Sequence, residues 1–165
     1  MLRRALGCAT VLLATACSDG SQPDVPDTGS FSAALRGARA GPMGGVANAG
    51  LSSTELGESY SVRMFDIRGD QTAFITLTCF GSGTPIAVGT YPVGPGQACE
   101  ARYGLAVSNG FSILERALAE SGTMTVSVSN ANEIDGRFSF QGPLVADTDI
   151  VGVVSVTGNF RAAQL

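Results

Sequence analysis

The chain has 165 residues, with 14 acidic and 10 basic side chains and a formal charge of −4; every basic residue is arginine, and histidine, lysine and tryptophan are absent. Without histidine there is no Ser-His-Asp or Cys-His arrangement and no imidazole metal ligand, and an acidic chain with no basic cluster presents the wrong surface for nucleic acid. Its 22 glycines and 15% charged residues suit short strands joined by tight turns, and its length suits one domain around one core.

At the N-terminus Arg3 and Arg4 precede an apolar run from Ala5 to Ala16. Twelve residues are too few to cross a hydrocarbon core, which needs about 20, so residues 1–16 read as a cleaved export signal rather than a membrane span. Small residues, Ala14, Thr15 and Ala16, stand directly before Cys17. The stretch resembles the lipobox of bacterial lipoproteins, with Ala14 where that motif usually has leucine. The resemblance implies that Cys17 becomes the acylated N-terminus and anchors the protein to the cell envelope, at the outer membrane or a periplasmic face. A secreted, unlipidated protein is the alternative. Two or three acyl chains make a durable anchor, because each buried methylene contributes about 0.8 kcal/mol.

Residues 17–30 then read as the lipidated cysteine and an extended polar linker, "SDGSQPDVPDTGS", punctuated by Pro23 and Pro26. Asp19, Asp24 and Asp27 lack the spacing of a calcium loop and read as spacer charge. Loss of Arg3 and Arg4 with the leader leaves eight arginines against fourteen acids, a formal side-chain charge of −6.

Residues 31–165 read as a single all-β domain. Strands are expected at Phe31–Leu35 and Gly44–Ala49, and "YSVRM" alternates with Tyr60, Val62 and Met64 on one face. Further strands are expected at Thr72–Phe80, Ile86–Tyr91 and Cys99–Val107. The segment "SILERALAES" is different: Ser112 and Glu115 have capping-box spacing, good helix formers follow, and Gly122 is a stop. It predicts one short helix near 113–120 with Phe111, Leu114 and Leu118 on one face, against an edge strand over Phe111–Glu115 followed by a loop.

Alternation is clearest in "TMTVSVS", which puts Met124, Val126 and Val128 together. After the turn "NANEIDG" it returns in "RFSFQ", with Phe138 and Phe140 inward and Arg137 outward, forming a hairpin. A last strand spans Ile150–Ala162. About nine antiparallel strands result, arranged as a β-sandwich or a flattened small barrel. The expected core contains Phe31, Val62, Ile75, Leu77, Val126, Phe138, Phe140, Val154 and Phe160.

In "AFITLTC" the parity groups Ala73, Ile75, Leu77 and Cys79, and in "CEARYGLAV" it groups Cys99, Ala101, Tyr103 and Leu105. Both thiols therefore point inward. In an oxidising exported compartment a Cys79–Cys99 disulfide is the expected state, since the pair lacks the C-x-x-C spacing of a redox site.

Three stretches, "GTYPVG" (89–94), "SGTMTVSVSNANEIDGRFSFQG" (121–142) and "VTGNFRA" (156–162), together with the opening strand "FSAALRG", resemble the landmarks of a family of all-β bacterial lipoproteins of unknown function. The resemblance covers Phe31 to the C-terminus. It implies an all-β fold at the envelope and carries over no catalytic residue.

No phosphate-cradling glycine loop and no Gly-x-Ser-x-Gly turn occurs. Glu55, Glu58, Asp66, Asp70, Glu100, Glu133 and Asp135 are numerous enough for a glycosidase pair, but no two stand out, and they read as surface acid. Asn130, Asn132 and Asp135 form a polar hairpin turn better than a calcium loop. The expectation is therefore a protein with no catalytic residue, no metal and no cofactor. It is a membrane-anchored binding or structural module whose partner is an envelope protein or polymer; the alternative is a lipocalin-like carrier of a small apolar ligand.

Overall fold

The computed structural model describes residues 26–54, 57–81, 85–107 and 112–165, and the regular structure among them is entirely β-strand. Ten strands follow in order: β1 (Ser30–Gly37), β2 (Gly41–Thr54), β3 (Gly57–Arg68), β4 (Gln71–Phe80), β5 (Gly89–Val93), β6 (Cys99–Val107), β7 (Ile113–Leu118), β8 (Ser121–Ser129), β9 (Glu133–Ala146) and β10 (Asp149–Gln164). They form one sheet, and the pairings β1–β2, β6–β7 and β9–β10 close it on itself. The result is a flattened, uneven barrel, and closure removes most of the free edges that an open sheet would expose.

Two short strands make the barrel uneven. Ladders β7–β9 and β8–β9 lie end to end along β9, so β7 and β8 act as one interrupted strand. At the β8 end the gap toward β6 is filled by β5, antiparallel to β8 and touching β6 in parallel only at Val93↔Cys99. Across the barrel, β1 separates β10 from β2, and beyond its start those two strands pair in parallel at Ala163↔Asn48 and Gln164↔Ala49.

The interior follows the alternation in the sequence. Tyr60, Val62 and Met64 on β3, Ile75, Leu77 and Cys79 on β4, and Cys99, Ala101, Tyr103 and Leu105 on β6 are all buried. So are Phe31, Val126, Phe138, Phe140, Val154 and Phe160, and the rings of Phe138 and Phe140 lie 6.2 Å apart between centroids. These side chains fill the barrel as a packed core.

The helix expected near 113–120 is not formed; those residues are the strand β7 and the turn that follows it. Helix propensity and a capping-box spacing are local preferences, and here they are overcome by ladders on both sides, to β6 and to β9. Ala117 faces the core at 1% exposure while Arg116 and Leu118 face out, which a strand period explains. Gly122 is no helix stop. It lies in β8 opposite Phe140, where an added Cβ would run into the Ser139 carbonyl.

Two smaller differences share one cause, departures from regular pairing. The strand expected from Ile86 begins at Gly89, and Ile86 itself is a fully buried residue of the preceding irregular segment. The register of β8 shifts between Val126 and Val128, so Val128 turns outward, away from Met124 and Val126. Of the expected linker, residues 26–30 are described, and Ser30 already belongs to β1. Within that stretch, Gly29 N donates to Arg161 O, Ala47 N donates to Gly29 O, and Thr28 Oγ1 donates to Glu133 Oε2 at 2.9 Å, which fixes this turn to the barrel.

Candidate functional site

The β1–β2, β3–β4 and β9–β10 connections lie at one end of the barrel. There a cleft of about 290 Å³ opens into the mouth, with Leu35, Met43 and Leu105 below and Arg39, Asp66 and Arg68 at the rim. Inward alternation of β3 continues past Met64 to Asp66 and Arg68, so the strand delivers a charge pair where the apolar core ends.

Asp66 is only 6% exposed and is fully engaged. Arg68 Nε donates to its Oδ1 at 2.9 Å and Arg68 Nη2 to its Oδ2 at 2.7 Å, while Gly44 N donates to Oδ2 at 3.2 Å. Arg68 Nη2 also reaches the Pro42 carbonyl at 3.0 Å, tying the end of β3 to the start of β2. Charge-assisted bonds of this bidentate kind fix a buried carboxylate in place.

A second cluster spans β6, β7 and the β1–β2 connection. Arg39 Nη1 donates to Glu115 Oε1 at 2.9 Å, and the Tyr103 hydroxyl faces Glu115 Oε2 at 3.5 Å. Burial, reinforced by the Glu115 charge, pushes the Tyr103 phenol up to about 12, so it stays protonated and acts as a donor. Asp66 and Glu115 are thus each paired with an arginine. The arrangement braces neighbouring strands and offers a fixed polar rim over an apolar floor.

The residues singled out in the sequence are distributed elsewhere. Cys17, Asp19, Asp24 and Glu55 lie outside the described residues. Cys79 and Cys99 are bonded, with an S–S distance of 2.01 Å, and face each other directly across β4 and β6. Glu133 pairs with Arg161 at 2.9 Å at the opposite end of β9 from the mouth, and Glu100 lies 3.7 Å from Arg102 on the outer wall. Asn130 Oδ1 accepts from the backbone N–H groups of Asn132 and Glu133, closing the β8–β9 turn on itself. Among the described residues no group of three or more acidic or cysteine side chains converges as metal ligands would.

Sequence reasoning missed the mouth. In the sequence Asp66 is one of seven equivalent carboxylates, Glu115 has the spacing of a helix cap, and nothing local marks Arg39 or Arg68. Extending the parity of Tyr60, Val62 and Met64 by two steps is the signal that finds Asp66 and Arg68.

No family model, no curated protein and no solved structure matches this chain.

Proposed function

We propose that the protein is a lipid-anchored module of the bacterial cell envelope, acylated at Cys17, that binds or braces a partner through its outer surface and does no chemistry of its own. The observation that carries this reading is the filled interior: large side chains occupy the barrel, and at its mouth Asp66 is bound by Arg68 and Glu115 by Arg39. A module of this kind works by what its walls and loops touch. The apolar run ending in small residues before Cys17 supports the anchor.

A lipocalin-like carrier draws less support, because a lumen that holds a ligand must be open, whereas this one is packed. The mouth cleft, about 290 Å³, stands at the lower limit of small-molecule pockets, which run from about 300 Å³ upward. Metabolic palmitate labelling of the wild type and of Cys17→Ser tests the anchor, with label and membrane fractionation expected only for the wild type. Native mass spectrometry of the protein taken from its own envelope tests the module: a co-purified protein or polymer is expected, and a stoichiometric small apolar ligand would favour the carrier.

A further inference from the structure

The outer wall opposite the packed core carries an apolar groove of about 510 Å³ that the proposed anchoring does not explain. Ile113 and Leu118 on β7 are 54% and 57% exposed and stand beside Pro143 and Val145 of β9. The register carries the apolar surface onward: Arg116 pairs with Val145, Val145 with Ile150, and Pro143 with Val153. A register shift between Ile150 and Gly152 turns Ile150, Val151 and Val153 all outward, at 70%, 53% and 54% exposure. Phe74 lies over Gly104 at the other side of the groove, where any Cβ would run into its ring. Isolated exposed apolar residues need no explanation, but a contiguous run over β7, β9 and β10 marks a surface that is covered in use.

Charge identifies the cover. Among the described residues, the groove's only ionised lining groups are the guanidiniums of Arg102 and Arg116. Arg102 stands 3.7 Å from Glu100, and among the described residues Arg116 forms no ion pair. Of the other carboxylates close along the strands, Glu115 alternates to the opposite face of β7 and pairs with Arg39, while Asp147 and Asp149 sit in and beside the β9–β10 turn, next to Ile150 and outside the groove lining. In a chain with more acid than base, this wall therefore joins exposed aliphatic side chains to two arginines. Aliphatic groups entering an acyl boundary while guanidiniums meet phosphate is the pattern of an interfacial membrane contact.

We infer that this wall is a second membrane contact, which lays the barrel against an anionic lipid surface. It rests on the membrane-anchored reading for its setting, but it is a separate surface and uses no acyl chain.

The test uses the full chain carrying Cys17→Ser, so that no lipid anchor contributes, and so that residues 1–16 are common to every variant compared. Sedimentation with phosphatidylcholine vesicles is measured with and without about one quarter phosphatidylglycerol. Binding to the anionic vesicles is expected, falling about tenfold or more in Leu118→Glu with Val153→Glu. Arg102→Gln with Arg116→Gln is expected to abolish the preference for phosphatidylglycerol. Thr123→Glu, on the outer face of β8, serves as the control and binds as the parent does. Unchanged thermal melts of the variants keep a folding defect from imitating the result. Equal binding by parent and Leu118→Glu/Val153→Glu overturns the inference, as does the absence of vesicle binding. A self-association of the parent that the glutamates disrupt, without vesicle binding, also overturns it and assigns the wall to a second copy. Palmitate labelling without vesicle binding overturns this contact and leaves the anchor standing; vesicle binding without labelling does the reverse.

Discussion

Phe138 on β9 and Phe160 on β10 stack with ring centroids 6.3 Å apart, and each stands directly opposite a glycine of the other's strand. Phe138 pairs with Gly158 and Phe160 with Gly136. A Cβ at Gly158 would come within 2.8 Å of the Phe138 ring, and one at Gly136 within 2.8 Å of the Phe160 ring. The two glycines thus leave room for two aromatic side chains, which cover the backbone that glycine leaves bare.

The exchange makes the β9–β10 wall sensitive in one direction only. Phe138→Ala should cost about 3 to 5 kcal/mol through lost burial and the cavity left behind. Arg137→Ala, on the exposed face one residue away, should change stability by no more than about 0.5 kcal/mol. Gly158→Ala should destabilise by about 1 to 3 kcal/mol, because the new methyl also meets the Ser32 carbonyl at 2.6 Å. Urea melts of the three variants are the measurement, and a larger loss for Arg137→Ala than for Phe138→Ala would mean that the faces are exchanged, as a one-residue slip requires.

The Cys79–Cys99 bond ties β4 to β6 at the last pair of their ladder, next to the bond from Phe80 N to Ala98 O. Replacing both cysteines with alanine should lower stability by roughly 3 kcal/mol in the chain-entropy model while leaving the fold in place, since the remaining β4–β6 ladder is independent of the bond. Peptide mapping without reduction should recover the linked pair. Ready alkylation of both thiols in the native, unreduced protein would contradict the bond.

Strand positions and faces were legible wherever one side of a strand meets a uniform core. The period of two in Tyr60–Val62–Met64 and in Ile75–Leu77–Cys79 has no other physical reading. Cys99–Val107 appears with the bounds its pattern suggested. What was not legible depends on partners distant in the chain. Whether Ile113–Leu118 is helix or strand is decided by β6 and β9, not by its own residues, and the outward turn of Val128 is decided by a register shift against β9. The mouth was hidden for the same reason: Arg39 and Glu115 are 76 residues apart, and only barrel closure brings them together.

Tyr60 offers a case in which removing a polar group should help. Its side chain is 1% exposed and its hydroxyl has no hydrogen-bond partner among the described residues, while burial raises its pKa. A buried hydroxyl without a partner costs about 1 to 3 kcal/mol, so Tyr60→Phe should stabilise the protein within that range, read as a higher urea midpoint at unchanged slope. A loss of stability would mean that the hydroxyl is hydrogen-bonded in solution.

The start of the domain is held by a charge cluster whose pH dependence has a definite sign. Arg161 donates to both oxygens of Glu133, at 2.9 and 3.1 Å, and Thr28 Oγ1 donates to Oε2 from the turn that leads into β1. The hydrogen bonds from Arg161, then that from Thr28, hold the Glu133 carboxyl below its ordinary value of 4.5. A carboxyl depressed by folding stabilises the fold above its unfolded pKa, and that contribution is lost as pH falls through the folded value. Glu133→Gln should therefore lower the melting temperature near neutrality, and the difference from wild type should shrink below about pH 4.5 and vanish in stronger acid. Asp135, two residues along β9, has the opposite sign. Burial raises its pKa above the ordinary 3.8 against the opposing pull of Arg161, so its charge is a penalty to the fold that is complete at neutral pH and disappears below the unfolded value. Asp135→Asn should then raise the melting temperature at pH 7 and converge on wild type in acid. Melting curves of the wild type and both variants between pH 3 and 7 separate the two effects, and parallel curves for Glu133→Gln and wild type across that range would show that the Glu133–Arg161–Thr28 cluster contributes nothing to holding the turn.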